Sequence, residues 1–293
     1  VEVSKTLTPD MDGDAIGGSV NLVTRTAPNK LRLSGTGSFG NNPIRDGAIN
    51  NLSIVAGGRL FKNVLGLVGT VVINDNNYGS DNVEAVWQQT AAGAVYVSEH
   101  DIRRYDIRRL RRSFNLNGDI KINKNNTINF STIYNWRDDW ENRYRLRITG
   151  ITPQANGTFI GEIRKQTKAG IGGNRVKNAR LEEQIVKKNS INGEHIIARK
   201  IKVDWSTSFA QASENRPNER YLEYNATNQI VTMDITDLER PYVFPTTRVN
   251  SSSFGFRRFT EQFGETNEKE WTNKLNIKIP LELIKDKKTV LKI

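Results

Sequence analysis

Thr127-Ile128-Asn129-Phe130-Ser131-Thr132-Ile133-Tyr134-Asn135-Trp136-Arg137 is the stretch on which the fold turns. Ile128, Phe130, Thr132, Tyr134 and Trp136 recur at every second position, while Thr127, Asn129, Ser131, Asn135 and Arg137 fill the alternate set, with Ile133 the one exception. Successive side chains of a strand point to opposite faces, so period two predicts a β-strand with one apolar face. The parity runs on through Trp140, Tyr144, Leu146 and Ile148 against Asp139, Glu141, Arg143, Arg145 and Arg147. Only Asp138 and Asn142 spoil the apolar set.

The pattern recurs on both sides. Phe114, Leu116 and Ile120 alternate with Asn115, Asn117 and Asp119; Val203, Trp205 and Phe209 alternate with Lys202, Asp204 and Ser208; Trp271, Leu275 and Ile277 alternate with Thr272, Lys274 and Asn276. Gly-rich strands are expected around Leu31–Phe39, Leu52–Phe61 and Leu65–Ile73, and another over Leu181–Ile197. Short turns are expected near Lys62-Asn63, Asn123–Asn126, Arg199-Lys200 and Glu282–Lys287. Long polar loops are expected over Asn74–Arg109, Gly150–Asn178 and Arg216–Lys269.

Tight turns at one end and long connections at the other are the layout of an outer-membrane barrel. About ten residues at ~3.3 Å each, tilted by ~40°, rise about 25 Å, the height of the apolar band. The expected fold class is therefore all-β: an antiparallel transmembrane barrel, with about nine strands of a larger barrel in residues 30–293. Phe114, Leu116, Ile120, Phe130, Val203, Phe209 and Ile277 are the expected lipid-facing set, and Trp136 and Trp271 the expected outer aromatic girdle. A soluble β-sandwich or propeller also has alternating strands and remains the alternative on pattern alone.

Composition narrows the function classes. The chain has 293 residues, mean hydropathy −0.58, no cysteine, two histidines and a formal net charge of +11. No run approaches the ~18 apolar residues of a membrane helix, which leaves barrels open because their apolar positions alternate. Disulfide, thiolate-metal and cysteine-nucleophile chemistry are excluded. His100 and His195 leave little for imidazole sites. No nucleophile elbow, phosphate-cradling glycine loop or zinc-protease motif occurs, so neither an enzyme nor a cofactor is expected.

Residues 1–27 have another texture. Val1-Glu2-Val3-Ser4-Lys5 reads as a short strand, and Ala15-Ile16-Gly17-Gly18-Ser19-Val20-Asn21-Leu22-Val23-Thr24-Arg25 as a Gly-Gly turn feeding a second. This string resembles the closing segment of the plug domain of TonB-dependent outer-membrane receptors, with Glu2, Lys5, Gly17, Gly18, Asn21 and Arg25 at the signature positions. The resemblance is motif-based over 1–27 and architectural over 30–293. It implies the end of a plug followed by the N-terminal part of a barrel, in the outer membrane of a Gram-negative bacterium. The partners it implies are the TonB complex, outer-membrane lipid and lipopolysaccharide, and a scarce extracellular small ligand of the siderophore, cobalamin or glycan class. It also implies a TonB box upstream of Val1. The start at Val1 and the strand-like Lys288–Ile293 are read as cuts through a longer protein.

Three constellations carry competing readings. Asp10, Asp12 and Asp14 alternate as at the start of a calcium loop, but the sixth and twelfth positions are Ala15 and Asn21, where an EF-hand needs Gly and Glu, so a solvated loop is preferred. The run Arg103–Arg112, with Tyr105 and Ile107 interleaved, fits nucleic acid, lipopolysaccharide phosphates or a solvated loop entering the wall; nucleic acid is not the expected partner. Arg137, Arg143, Arg145 and Arg147 share the face expected to line the lumen, where they draw in an anionic ligand or pair with neighbouring carboxylates. The rival functions are a basic soluble β protein that binds nucleic acid and a structural or adhesin-type barrel.

Overall fold

The computed structural model describes residues 2–5, 17–21, 26–170, 179–198, 200–284 and 287–292. Its elements are β1 (Glu2–Ser4), β2 (Ser19–Asn21), β3 (Arg32–Asn42), β4 (Gly47–Leu60), β5 (Leu65–Gln89), β6 (Val95–Asn123), β7 (Asn126–Pro153), β8 (Phe159–Ala169), β9 (Arg180–Ile197), β10 (Ile201–Asp234), β11 (Tyr242–Pro245), β12 (Gly255–Ile284) and β13 (Lys287–Lys292). One 3-10 turn (Ser251–Ser253) precedes β12.

The fold is an all-β antiparallel barrel sheet. Its pairing path runs β3-β4-β5-β6-β7-β8-β10-β12-β13, nine positions wide and a meander throughout. β8 and β9 share one position: β9 pairs Asn126–Glu141 of β7 and Ile201–Asn215 of β10, while β8 pairs the further parts of both strands. β11 is a short addition to the end of β10. Most strands pair their sequence neighbours because two- to five-residue turns favour that antiparallel partner, and β12 returns to β10 through the longer connection that carries β11. Phe61, Lys62 and Asn63 all take positive φ in the β4–β5 turn.

Two sequence expectations are corrected here. The stretches Asn74–Arg109 and Arg216–Lys269 are mostly paired strand rather than loop: β5 pairs β6 out to Gln89–Val95, and β10 pairs β12 out to Asn225–Gly255. In Gly150–Asn178, β8 takes up Phe159–Ala169, while residues 171–178 lie outside the described residues. The basic run Arg103–Arg112 accordingly sits inside β6, flanked by β5 and β7, and not in a loop descending to the wall. The physical reason is a loss of contrast. β5 alone has 25 residues, about 80 Å at ~3.3 Å each, so much of it lies beyond an apolar band ~25 Å tall. Beyond that band charged residues enter both faces, and backbone pairing continues while the period-two signal weakens.

A small core closes the far end. Val97, Ile148, Ile151, Ile163, Val231 and Val243 are buried together, with Trp87, Phe159 and Phe254 packed around them. The connection after β10 supplies β11 and Phe254 to this cluster, so it folds back over the sheet. His100, 1 % exposed, lies under Tyr242 with ring centroids 6.1 Å apart.

Candidate functional site

Register defines two faces. Val71, Phe114 and Tyr134 oppose one another across β5, β6 and β7; Val203 opposes Ile277, and Phe209 opposes Trp271. By the same ladder Leu116, Ile120 and Phe130 join them, so the seven residues expected to face lipid share one face. Trp136 and Trp271 lie on that face too, two same-face rows apart. Side chains on this face stand open: Leu52, Ile54, Val71, Ile73, Phe114, Ile191, Trp271 and Leu275 are 40–67 % exposed. A water-soluble sheet would bury such a face against a second layer.

Rings lie over glycines on this face. A Cβ on Gly118 would stand 2.2 Å from the Phe130 ring, and one on Gly193 2.2 Å from the Trp205 indole. The Trp205 Nε1–H donates to His195 Nε2 at 3.0 Å, which leaves His195 Nδ1 to donate to Asn126 Oδ1 at 2.8 Å. His195 is thus held in one tautomer by structural partners.

A charged belt follows the apolar rows. Arg112 lies 4.3 Å from the Trp136 ring and pairs with Asp138 at 3.2 Å; Arg108 lies 5.3 Å from the Trp140 ring and bridges Asp75 through two hydrogen bonds of 3.0 and 2.9 Å. Asp138, the residue that spoiled the alternation, is therefore the acceptor for both Arg112 and the Trp136 Nε1–H at 2.7 Å.

The opposite face carries a series of ion pairs. Arg137 reaches Asp139 at 3.2 Å and Glu182 at 3.0 Å. Arg145 grips both oxygens of Asp101, at 3.0 and 2.5 Å, and Arg147 pairs with Asp101 at 3.2 Å and with Glu99. Arg103 also pairs with Asp101, and Arg109 with Asp139. Further along, Lys168 and Arg180 meet Glu219, and Arg257 meets Glu223 at 2.7 Å. The Arg164 hydrogen bond holds the Glu162 carboxyl below its usual range against the opposing effect of burial.

Three of the four arginines expected to line the lumen are thus matched by neighbouring carboxylates. Arg143 is different: its guanidinium lies 5.8 Å from the Tyr105 ring and forms no ion pair among the described residues. It lines a cavity of about 220 Å³ with Arg145, Gln166, Lys168, Tyr221, Glu223 and Arg258. Gln166, Lys168, Tyr221 and Arg258 escaped the sequence reading because they belong to stretches read as loop. Their signal was faint: alternation in Glu162–Lys168 is polar on both faces over most of its length.

Of the plug signature, Glu2 pairs with Asn21 in the two-stranded antiparallel sheet β1–β2. Gly18 has φ +138°, and a Cβ there would stand 2.7 Å from the Ser4 carbonyl, so the close approach requires glycine. Gly17 and Lys5 are exposed. Arg25 and the Asp10, Asp12, Asp14 series lie outside the described residues.

No protein-family model, no curated protein and no solved structure matches this chain.

Proposed function

We propose that this chain forms part of the wall of a TonB-dependent outer-membrane receptor that binds a scarce extracellular ligand and admits it to the periplasm. The observation that carries the reading is the inverted sheet: apolar side chains 40–67 % exposed on one face, and ion pairs on the other. A bilayer is the environment in which an apolar outer face and a polar lumen are both stable. The Arg112–Trp136 and Arg108–Trp140 stacks follow the apolar rows, where cations and amphipathic rings meet headgroups and lipopolysaccharide phosphates. The resemblance of residues 1–27 to a plug's closing segment supports the import function and, with it, the TonB complex as energy source.

The polar face supplies recognition rather than bond-breaking: guanidinium groups held by carboxylates and rings bind and orient a ligand. The nucleic-acid reading is less favoured, because Arg103, Arg104, Arg108, Arg109 and Arg112 are each already paired to a carboxylate.

The test is fractionation of cells producing the full-length gene product, with uptake measured with and without a functional TonB system. Outer-membrane recovery of a heat-modifiable barrel and TonB-dependent uptake are expected. Recovery in the cytosol with salt-sensitive DNA or RNA binding would overturn the proposal in favour of the soluble reading; an outer-membrane barrel whose ligand uptake ignores TonB would favour the adhesin or structural one.

A further inference from the structure

We propose that the cavity among β7, β8, β10 and β12 binds a single oxyanion, a phosphate or carboxylate group, between Arg143 and Arg258. Its lining carries four cations, Arg143, Arg145, Lys168 and Arg258, against one carboxylate, Glu223. Three of these five charges are committed elsewhere. Arg145 grips Asp101, Lys168 meets Glu219 at 2.5 Å, and Glu223 takes Arg257 at 2.7 Å and Gln166 at 2.7 Å. Arg143 and Arg258 have no carboxylate partner among the described residues.

Both lie over rings, and Arg258 also donates from Nε to Thr260 Oγ1 at 3.1 Å, which leaves its two terminal nitrogens without a side-chain acceptor among the described residues. Arg143 lies 5.8 Å from Tyr105 and Arg258 5.0 Å from Tyr221, while Lys168 lies 4.8 Å from the same Tyr221 ring. Two cations share one aromatic ring, an arrangement whose mutual repulsion an anion relieves. Glu219 supplies that anion to Lys168, and Glu223 is taken by Arg257 and Gln166, so neither is paired with Arg143 or Arg258. A ring orients a guanidinium, and an oriented planar fork matches an oxyanion through two parallel hydrogen bonds. The volume of about 220 Å³ falls short of the ~300–1,000 Å³ that encloses a whole small ligand. It therefore grips one group of a larger molecule or a free small anion.

This deepens the import reading by giving the cargo a negatively charged group, and rests on that reading for that step alone. The experiment is calorimetric titration of the full chain, folded in detergent micelles, with orthophosphate and separately with citrate at fixed ionic strength. Saturable binding of at least one is expected, with the choice between them naming the group. R143Q/R258Q is expected to weaken it at least tenfold, R143K/R258K to weaken it less, and R220Q to leave it unchanged, since Arg220 pairs with Glu261 outside the cavity. Far-UV circular dichroism verifies that each variant is folded. Absence of saturable binding of both anions by the folded protein, or equal binding by R143Q/R258Q, overturns the site. Uptake measurements separate the two ideas: anion binding without TonB-dependent uptake removes the import reading alone, and uptake without anion binding removes the site alone.

Discussion

Arg59 on β4 and Asp119 on β6 join hands across the intervening strand, through hydrogen bonds of 2.9 and 3.1 Å that pass over Gly66 of β5. The span is possible because Gly66 has no side chain: a Cβ there would stand 2.5 Å from Asp119 Oδ1 and 2.7 Å from Ala27 Cβ. Ala27, itself buried, closes the arrangement and ties the segment entering the sheet to its first strands.

Replacing Asp119 by Asn leaves the Arg59 guanidinium, whose side chain is 6 % exposed, without its counter-charge. Loss of one partner of a buried pair costs about 3 kcal/mol. Gly66→Ala forces the pair apart and is expected to cost about 1–3 kcal/mol by overpacking. Urea titration of the folded protein in micelles reads both. A D119N variant as stable as the parent would show that the pair contributes nothing.

The two faces respond differently to charge. Phe114→Arg or Leu116→Arg is expected to cost about 2–4 kcal/mol in a bilayer, whereas Asn115→Arg on the other face is expected to cost little. Equal costs on both faces, measured by folding into lipid vesicles, would remove the assignment of the apolar face to lipid.

The glycine-and-ring pairs predict a shape-specific sensitivity. Gly118→Ala and Gly193→Ala push the Phe130 and Trp205 rings off their seats, at about 1–3 kcal/mol each. Gly118→Ala combined with Phe130→Leu is expected to recover part of the loss. Trp205 fluorescence provides a second readout, shifting in the Gly193 variant and not in the Gly118 one.

Burial holds the His100 imidazole below its ordinary 6.5, against the raising influence of the Pro241 backbone and Asp101. The folded form therefore prefers neutral His100, while the unfolded chain takes up the proton as pH falls past 6.5. The resulting stability is complete above that value and is lost as pH falls through the lower folded value. Acidification to pH ~5 is expected to loosen the β11 segment over His100, seen as faster hydrogen exchange at Val243 after correction for intrinsic rates. His100→Phe should flatten this dependence; an unchanged pH profile in that variant would assign the effect elsewhere.

The barrel sheet was legible from Ile128–Trp136 outward because a strand with one apolar and one polar face prints its geometry at period two. The faces of Phe114, Phe209 and Ile277 follow from parity alone. The distal hairpins were illegible for the converse reason: Arg103 to Arg112 and Glu162 to Lys168 place charge on both faces, so little contrast survives in the sequence. Arg143 was legible as a wall cation, but its distinction from Arg145 was not. That difference depends on which neighbours bring a carboxylate across the ladder: Asp101 serves Arg145 and Arg147, while no carboxylate among the described residues serves Arg143. The bulge between Arg216 and Glu219 was also hidden, although it reverses which residues of β10 face each side.

That bulge lies where β8 hands over to β9. Asn218 donates to the Ala179 carbonyl at 3.2 Å and accepts the Leu181 N–H at 2.9 Å, so a side chain splices the ladder where the wall strand is in two pieces. Each piece is clamped by its own stretch of β7 and of β10. Each piece therefore carries its own register: Arg143–Pro153 of β7 and Arg220–Val231 of β10 address β8, while Asn126–Glu141 and Ile201–Asn215 address β9.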